Sequence, residues 1–424
     1  MTGRRSRSNA ADAPGEVPIG LIAAIWRIAS AWMCGGAGAR RALFSLVAAF
    51  LVSSALPAAD LNDGIDRSAP DFIKASLLIM GPGEELFACV GHACFRMECP
   101  SFNLDLCYSY ESESVRDKVL TFFRGKLKMG MFSVPTQEFL KEYEATGRGV
   151  TQYTLRLSPE VEQKLWRVLD ARVAEGPNRP YDYVDRGCAL SVFECLEAAF
   201  DPVKIPIDNS DGRYDKTLRE LFARQADRHP WNRLFAQAIM GTAMDADRPK
   251  ERKVALPQDL VDTLANSTPM SMSQSLLDKE GTVLLPSRAD GRTVWISPMV
   301  LAGLLLLVSV VLLMSNYKAL DLLFAGLMAA VGAVPTFLVV CSSLPATDWN
   351  WLIVPFSALP LVLWKWRRKW AAYYAGLVLL WCCAVLVYPH ELTDSAFIVL
   401  AFAQVVVYIK FTKKFQQIRE RLRG

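Results

Sequence analysis

The sequence predicts a two-part protein: an α+β domain outside the membrane, followed by a C-terminal bundle of about five transmembrane helices. Three observations carry this. Residues 294–411 are almost uninterrupted apolar sequence, whereas 60–290 have the mixed polarity of a globular domain. Within the mixed part, strand-like alternation gives way to amphipathic helical patterns. Around the apolar segments, Lys and Arg gather in alternate loops. The chain has 424 residues, 52% of them hydrophobic, with a net charge of +4. It lacks a basic stripe interleaved with aromatics, so no nucleic-acid partner is expected.

The first 59 residues read as an N-terminal extension and signal peptide. Arg40 and Arg41 precede an apolar run from Ala42 to Val52, and small residues follow at Ser53, Ser54, Ala55, Ala58 and Ala59. That is the order of a secretory signal, although an uncleaved anchor would share the pattern. Initiation at Met33 would give a signal of ordinary length.

The expected spans are 294–315, 319–341, 350–364, 371–388 and 395–411, near the length that crosses a hydrocarbon core. The third is short and contains Pro355 and Pro360. Lys318, the cluster Lys365, Arg367, Arg368 and Lys369, and the basic residues from Lys410 to Arg423 fall on one side, and loops 342–349 and 389–394 hold no Lys or Arg. The positive-inside rule makes the basic side cytoplasmic, with 412–424 a basic cytoplasmic tail. Residues 60–264 then lie in the periplasm, joined through a polar linker at 265–293. Trp349, Trp351, Trp364, Trp366, Trp370 and Tyr388 mark span ends as an interfacial belt. No ionisable residue interrupts the centres of the spans except Asp321, near an end, so a transporter or proton pump is disfavoured.

The chemistry of the outer domain narrows to Cys and His. There are three histidines, His92, His229 and His390. No HExxH or CxxC spacing, GxSxG elbow, Walker loop or dinucleotide fingerprint occurs, so neither a metal nor a cofactor is expected. After Gly91, His92 opens a strand-like run that turns at Glu98–Phe102 and pairs back over Asn103 to Tyr110 as a hairpin. A strand holds a histidine stiffly, as a general base requires, though a core histidine bonded to a carbonyl looks the same. Cys188 follows Gly187 and opens a helical pattern with Val192, Cys195, Leu196 and Ala199 on one face. A helix N-terminus favours the thiolate. The competing reading is a buried small hydrophobe or half of a disulfide, because Cys89, Cys94, Cys99, Cys107, Cys188 and Cys195 all lie in an oxidising compartment. Pro159–Ala174, Lys216–Gln225 and Trp231–Met240 read as helices, and His229-Pro-Trp231 and His390 as loop residues, the former with a packed Trp.

Several motifs in order resemble one family: Gly81-Pro-Gly-Glu-Glu-Leu86 leading to Gly91-His92, then Tyr108, Gly125-Lys-Leu127, Gly147-Arg-Gly149 with Gln152, Tyr181-Asp-Tyr183 leading to Cys188, and Thr347-Asp-Trp-Asn-Trp351 between spans. The chain resembles the Lnb-type lipoprotein N-acyltransferases, named for an N-terminal periplasmic domain. That resemblance implies a permuted papain-like thiol-enzyme domain, in which the His strand precedes the Cys helix, as His92 precedes Cys188. Two departures stand out. The family's Asp-Asn before the Cys is Arg186-Gly187 here, and its Asn-Tyr-Gly after the His strand is Cys107-Tyr108-Ser109. The group that orients the imidazole is therefore open, with Asp105 and Glu111 as candidates.

The function implied is acyl transfer through a Cys188 thioester, with His92 as acid and base. A membrane phospholipid is the acyl donor and the amino terminus of a lipoprotein the acceptor. A periplasmic cysteine hydrolase (a cell-wall amidase or peptidase) and a non-catalytic membrane assembly protein are the rivals. Amino-terminal sequencing of the mature protein is expected to begin near residue 60; a mature chain retaining residues 1–40 would contradict the signal reading.

Overall fold

The computed structural model describes residues 69, 72–85, 88–112, 119–182, 187–207, 216–226, 229–246, 254–270, 272–288, 296–387 and 394–421. The signal read at 1–59, Arg186 and His390 lie outside them. Strands β1 (Lys74–Met80), β2 (His92–Cys99) and β3 (Leu104–Ser112) pair antiparallel, so the hairpin read from the alternation is present. Its turn is a short 3-10 segment at Pro100–Phe102, closed by Asn103 at φ 52°, a left-handed conformation that Asn tolerates. Strands β4 (Lys128–Pro135), β5 (Val150–Thr154), β6 (Arg179–Pro180) and β7 (Thr282–Leu285) complete an antiparallel sheet in the order β6–β4–β3–β2–β1–β5–β7.

Each sheet face is apolar because the strands alternate under helices on both sides. After the short α1 (Val119–Phe123), helix α2 (Thr136–Ala145) lays Phe139 and Tyr143 against Leu78, Met80, Cys94, Cys107 and Val150. The opposite face carries Ala93, Phe95, Met97 and Tyr108 and is covered by α3 (Pro159–Glu175) and α4 (Cys188–Phe200). Ser158 caps α3 by accepting from the Val161 amide at 3.4 Å, with Pro159 in the first turn. Tyr108 fastens α3 to the sheet: its hydroxyl donates to Asp170 at 2.6 Å and accepts from Trp166 Nε1 at 2.8 Å. Helix α5 (Leu218–Gln225) starts with a Thr217/Glu220 capping box. It is followed by α6 (Pro230–Ile239) and α7 (Pro257–Asn266).

The stretch 265–293 is more than the polar linker expected. It buries Leu276 and Leu277 in the main core and supplies edge strand β7. Sparse apolar residues in a polar run carry no periodic signal, so this pairing is visible only in three dimensions. Trp231 is also not the packed residue expected. It is 40% exposed, with Nε1 donating to the Ile296 carbonyl at 2.9 Å.

The apolar half contains α8 (Pro298–Met314), α9 (Lys318–Cys341), the four-residue α10 (Leu359–Val362), α11 (Arg367–Val387) and α12 (Ser395–Ile409), with the polar α13 (Lys413–Arg421) after them. Among the described residues, two helices, Lys318–Cys341 and Trp364–Val387, are long and apolar enough to cross a membrane, and α8 and α12 are shorter apolar helices. The expectation of five helical spans needs correcting at 350–364. This segment is a chain of short turns rather than a continuous helix. Proline removes a ladder donor and clashes with the preceding turn. The Pro355 carbonyl accepts instead from Gln404 Nε2 at 2.6 Å and from the Tyr374 hydroxyl at 2.7 Å. Irregular backbone among apolar helices persists where neighbours satisfy it in this way. Lys410, expected as a loop charge, is buried and pairs with Asp321, its Nζ 2.7 Å from each carboxylate oxygen.

The connections without Lys or Arg meet the outer domain. Asn350 Nδ2 donates to the carbonyls of Ala238 (2.9 Å) and Met240 (3.1 Å), the Thr242 amide donates to Trp349 O at 2.8 Å, and Arg233 pairs with Asp394 at 3.3 Å. Gly125 has φ 70°, and its backbone lies so close to that of Ser343 and Leu344 that no Cβ fits.

Glu162 of α3 is buried beneath β1 and accepts from the Ala75 amide at 3.3 Å. Burial pushes its carboxyl up to about 7, against the opposing effect of that amide. The stabilising contribution of the protonated form is complete below the ordinary carboxylate value and is lost as pH rises through about 7. Glu162→Gln should therefore raise the melting temperature of the full-length protein at pH 8 and change it much less at pH 4.5, as followed by thermal unfolding in detergent.

Candidate thiol–histidine site

The two residues singled out in sequence, 96 positions apart by their numbering, meet at the N-terminal end of the central strand β2. Gly91, at φ 83° and too close to Met80 O for a Cβ, turns the chain into β2 so that His92 is its first residue. Gly187 caps α4 in extended conformation and makes Cys188 the first helical residue, as the sequence predicts. The Cys188 thiol hydrogen-bonds the His92 ring, and the backbone amides of Ala93 and Ala189 also point at its sulfur. Among the described residues every cysteine is a free thiol, so Cys188 is not half of a disulfide with Cys195 or Cys94.

The far side of the imidazole is held by a residue that sequence reasoning did not single out as an orienter. His92 Nε2 is 2.7 Å from Ser109 Oγ, and the Ser109 hydroxyl donates to Glu111 Oε1 at 2.7 Å. The serine oxygen therefore accepts from Nε2–H, which leaves Nδ1 as the nitrogen facing the thiol. Glu111 stands behind, 3.9 Å from Nε2. Of the two candidate orienters, Glu111 acts through Ser109. Asp105 is engaged elsewhere, by Arg96 at 2.8 Å and by Thr136 at 2.5 Å. The available signal was alternation: Ser109 pairs with Cys94 across the hairpin, and period two puts 107, 109 and 111 on one face of β3.

The electrostatics draw the thiol and the imidazole toward the charged forms. Burial opposes ionisation of Cys188, but the charge and hydrogen bond of His92 and the Ala93 and Ala189 amides outweigh it, so the thiol titrates below its ordinary value. Burial likewise opposes protonation of His92, but Cys188 and then Glu111 outweigh it and hold the imidazole above its usual range. A depressed thiol beside a raised imidazole is the condition of an activated nucleophile. His229, by contrast, sits at the N-cap position of α6, without a side-chain capping bond, and takes no part.

The arrangement defines a class: a mixed helix-and-sheet domain bearing a Cys–His pair, with the histidine strand ahead of the cysteine helix. Residues 64–221, which contain both residues, match the family model of the Lnb N-terminal periplasmic domain. The outer region is similar to that family's domain, as its motifs indicate, and the chain joins it to helices long enough to cross a membrane. No curated protein and no solved structure matches the chain.

His92→Gln removes the charge that stabilises the thiolate and leaves burial in place. The pH midpoint for iodoacetamide alkylation of Cys188 should rise above that of an ordinary thiol. The rate at pH 7 should fall about tenfold or more, since each unit of displacement is a tenfold loss of thiolate. An unchanged midpoint, read by peptide mass spectrometry, would remove His92 from the pair.

Proposed function

We propose that this protein is a thiol-dependent acyltransferase of the periplasmic membrane face, moving a fatty acyl chain from a phospholipid through Cys188 to the amino terminus of a lipoprotein. The observation that carries the reading is where the Cys–His pair sits. The loop between β1 and His92 is tied to α6 by Asn232 Nδ2, which donates to the Glu84 carbonyl at 2.7 Å. Helix α6 reaches the start of the apolar half through Trp231 and Ile296. On the other side, Tyr181, within electrostatic reach of Cys188, stacks edge-on against Phe122 at 5.4 Å, and Phe122 packs with Leu344 of the bundle. A thiol nucleophile held beside helices of membrane-spanning length suits a substrate that lives in a bilayer.

In the first half-reaction the Cys188 thiolate attacks the acyl ester carbonyl. The C–S bond forms, the ester C–O bond breaks, and imidazolium His92 gives its proton to the departing alkoxide, releasing a lysophospholipid. In the second half-reaction the lipoprotein amine attacks the thioester, neutral His92 takes the amine proton, and the thiolate leaves. The C–N bond forms and the C–S bond breaks, which releases the amide product and restores the starting ion pair. Ser109 and Glu111 keep the ring in one orientation and stabilise its charged form between the two halves. No metal or cofactor enters this scheme. The reading places the sheet domain outside and α13 in the cytoplasm, with 350–364 as an irregular third crossing of five. Contacts of 342–350 and Asp394 with the outer domain support that arrangement.

Cys188→Ala and His92→Ala should each abolish N-acylation of lipoproteins, with amino-terminal peptides shifting from triacylated to diacylated masses. Ser109→Ala should retain measurable activity with a lower kcat. Unchanged triacylation in the two null variants would end the proposal. Release of cleaved muropeptides by the wild-type enzyme but not by Cys188→Ala would replace it with a cell-wall hydrolase.

A further inference from the structure

Arg148 is the residue beside the dyad that the chemistry above does not use. It belongs to the turn between α2 and β5, next to Gly149, whose backbone carbonyl accepts from the Gly81 amide at 2.9 Å. Its guanidinium is fixed on two sides. Nε donates to the Gly81 carbonyl at 2.9 Å, and the group stacks over the Tyr143 ring, 4.8 Å from its centroid, while also hydrogen-bonding the Tyr143 hydroxyl. The remaining branch is different. Nη2 is buried and has no hydrogen-bond partner among the described residues. A charged donor left in that state costs far more than a satisfied one, and the cation lies within electrostatic reach of Cys188, His92 and Glu111. Ionic partners within the site do not explain it: Glu111 is bonded to Ser109, and Cys188 to His92. A rigid, half-satisfied guanidinium next to a nucleophile is a preformed receptor for an anionic oxygen.

We infer that Arg148 binds the phosphodiester of the donor phospholipid, placing its acyl ester at Cys188. This rests on the acyl-transfer reading and supplies what the dyad lacks, a means of choosing a phospholipid over a neutral diacylglycerol. The tetrahedral oxyanion is the other anion that forms in the site. An amide at the helix N-terminus is available to that oxygen, and an oxyanion forms on every acyl donor, charged or neutral. The two roles therefore differ in donor dependence. Arg148 is on this view a specificity-determining residue, which acts on ground-state binding as well as on rate.

The test uses full-length protein in detergent micelles, wild type and Arg148→Gln, with Arg148→Lys as the charge-conserving variant. The first measurement is the rate of Cys188 thioester formation by intact mass spectrometry, with phosphatidylglycerol and with diacylglycerol as donors. Wild type should favour phosphatidylglycerol. Arg148→Gln should lose about ten- to a hundredfold on that donor, the range of one charge-assisted hydrogen bond, and little on diacylglycerol. Arg148→Lys should fall between. An equal loss on both donors, or no loss on either, overturns the inference.

The second measurement needs no turnover. Dihexanoyl phosphatidylglycerol should slow iodoacetamide alkylation of wild-type Cys188, with each protein compared with its own lipid-free rate, and should fail to protect Arg148→Gln. Protection by dihexanoyl phosphatidylglycerol but not by inorganic phosphate identifies the lipid as the ligand. Equal protection by inorganic phosphate, equal protection of both proteins, or no protection of wild type overturns it. Protection without any thioester from either donor would uphold the Arg148 site and reject acyl transfer, so the two failures are distinct.

Discussion

A thiol in a buried site is held neutral unless a group of opposite charge shares the space, and the contact between Cys188 and His92 provides one. Burial alone would push the thiol up and the imidazole down, and their mutual attraction reverses both. Each partner is brought to the meeting by ordinary backbone geometry. A left-handed glycine opens β2, an extended glycine opens α4, and the packing of α4 across β2 and β3 brings the helix end to the strand end. Ser109 and Glu111 extend the pair into a chain of four hydrogen-bonded side chains whose last member carries the compensating negative charge.

The sheet explains why so small a constellation can be held with precision. Its central hairpin is clamped on one face by α2 and on the other by α3 and α4, so both strand ends are immobilised by packing rather than by loops. The same end of the strands gathers Gly81 and Arg148, and the loop leading away from Gly81 is bonded to α6. Attachment to the membrane half is therefore attachment of the site itself. A chain of packed groups from Tyr181 through Phe122 to Leu344 does the same on the opposite flank.

Much of this was legible in the sequence because it rests on local rules. Alternation after Gly91 gave the hairpin, Ser158-Pro159 marked the start of α3, and the glycine before Cys188 placed the thiol at a helix start. The residues that escaped are those whose roles depend on pairing across distance. Ser109 is one weakly polar residue in a β run, and only cross-strand register brings it to the imidazole. Strand β7 hides in a polar stretch, since an edge strand with exposed residues needs no apolar repeat. The break at 350–364 was signalled by its two prolines, but hydropathy averages over them and reads only apolar length. Lys410 was counted as a loop charge because sequence cannot show that Asp321 stands opposite it.

That broken segment bears on how the chain is assembled. A regular helix enters a bilayer with its own polar backbone already satisfied. The stretch through Pro355 does not, because its acceptors rely on Tyr374 and Gln404, which are made later by the ribosome. Its exposed carbonyl is satisfied only once α11 and α12 stand beside it, so this segment settles after the helices that follow it in the chain.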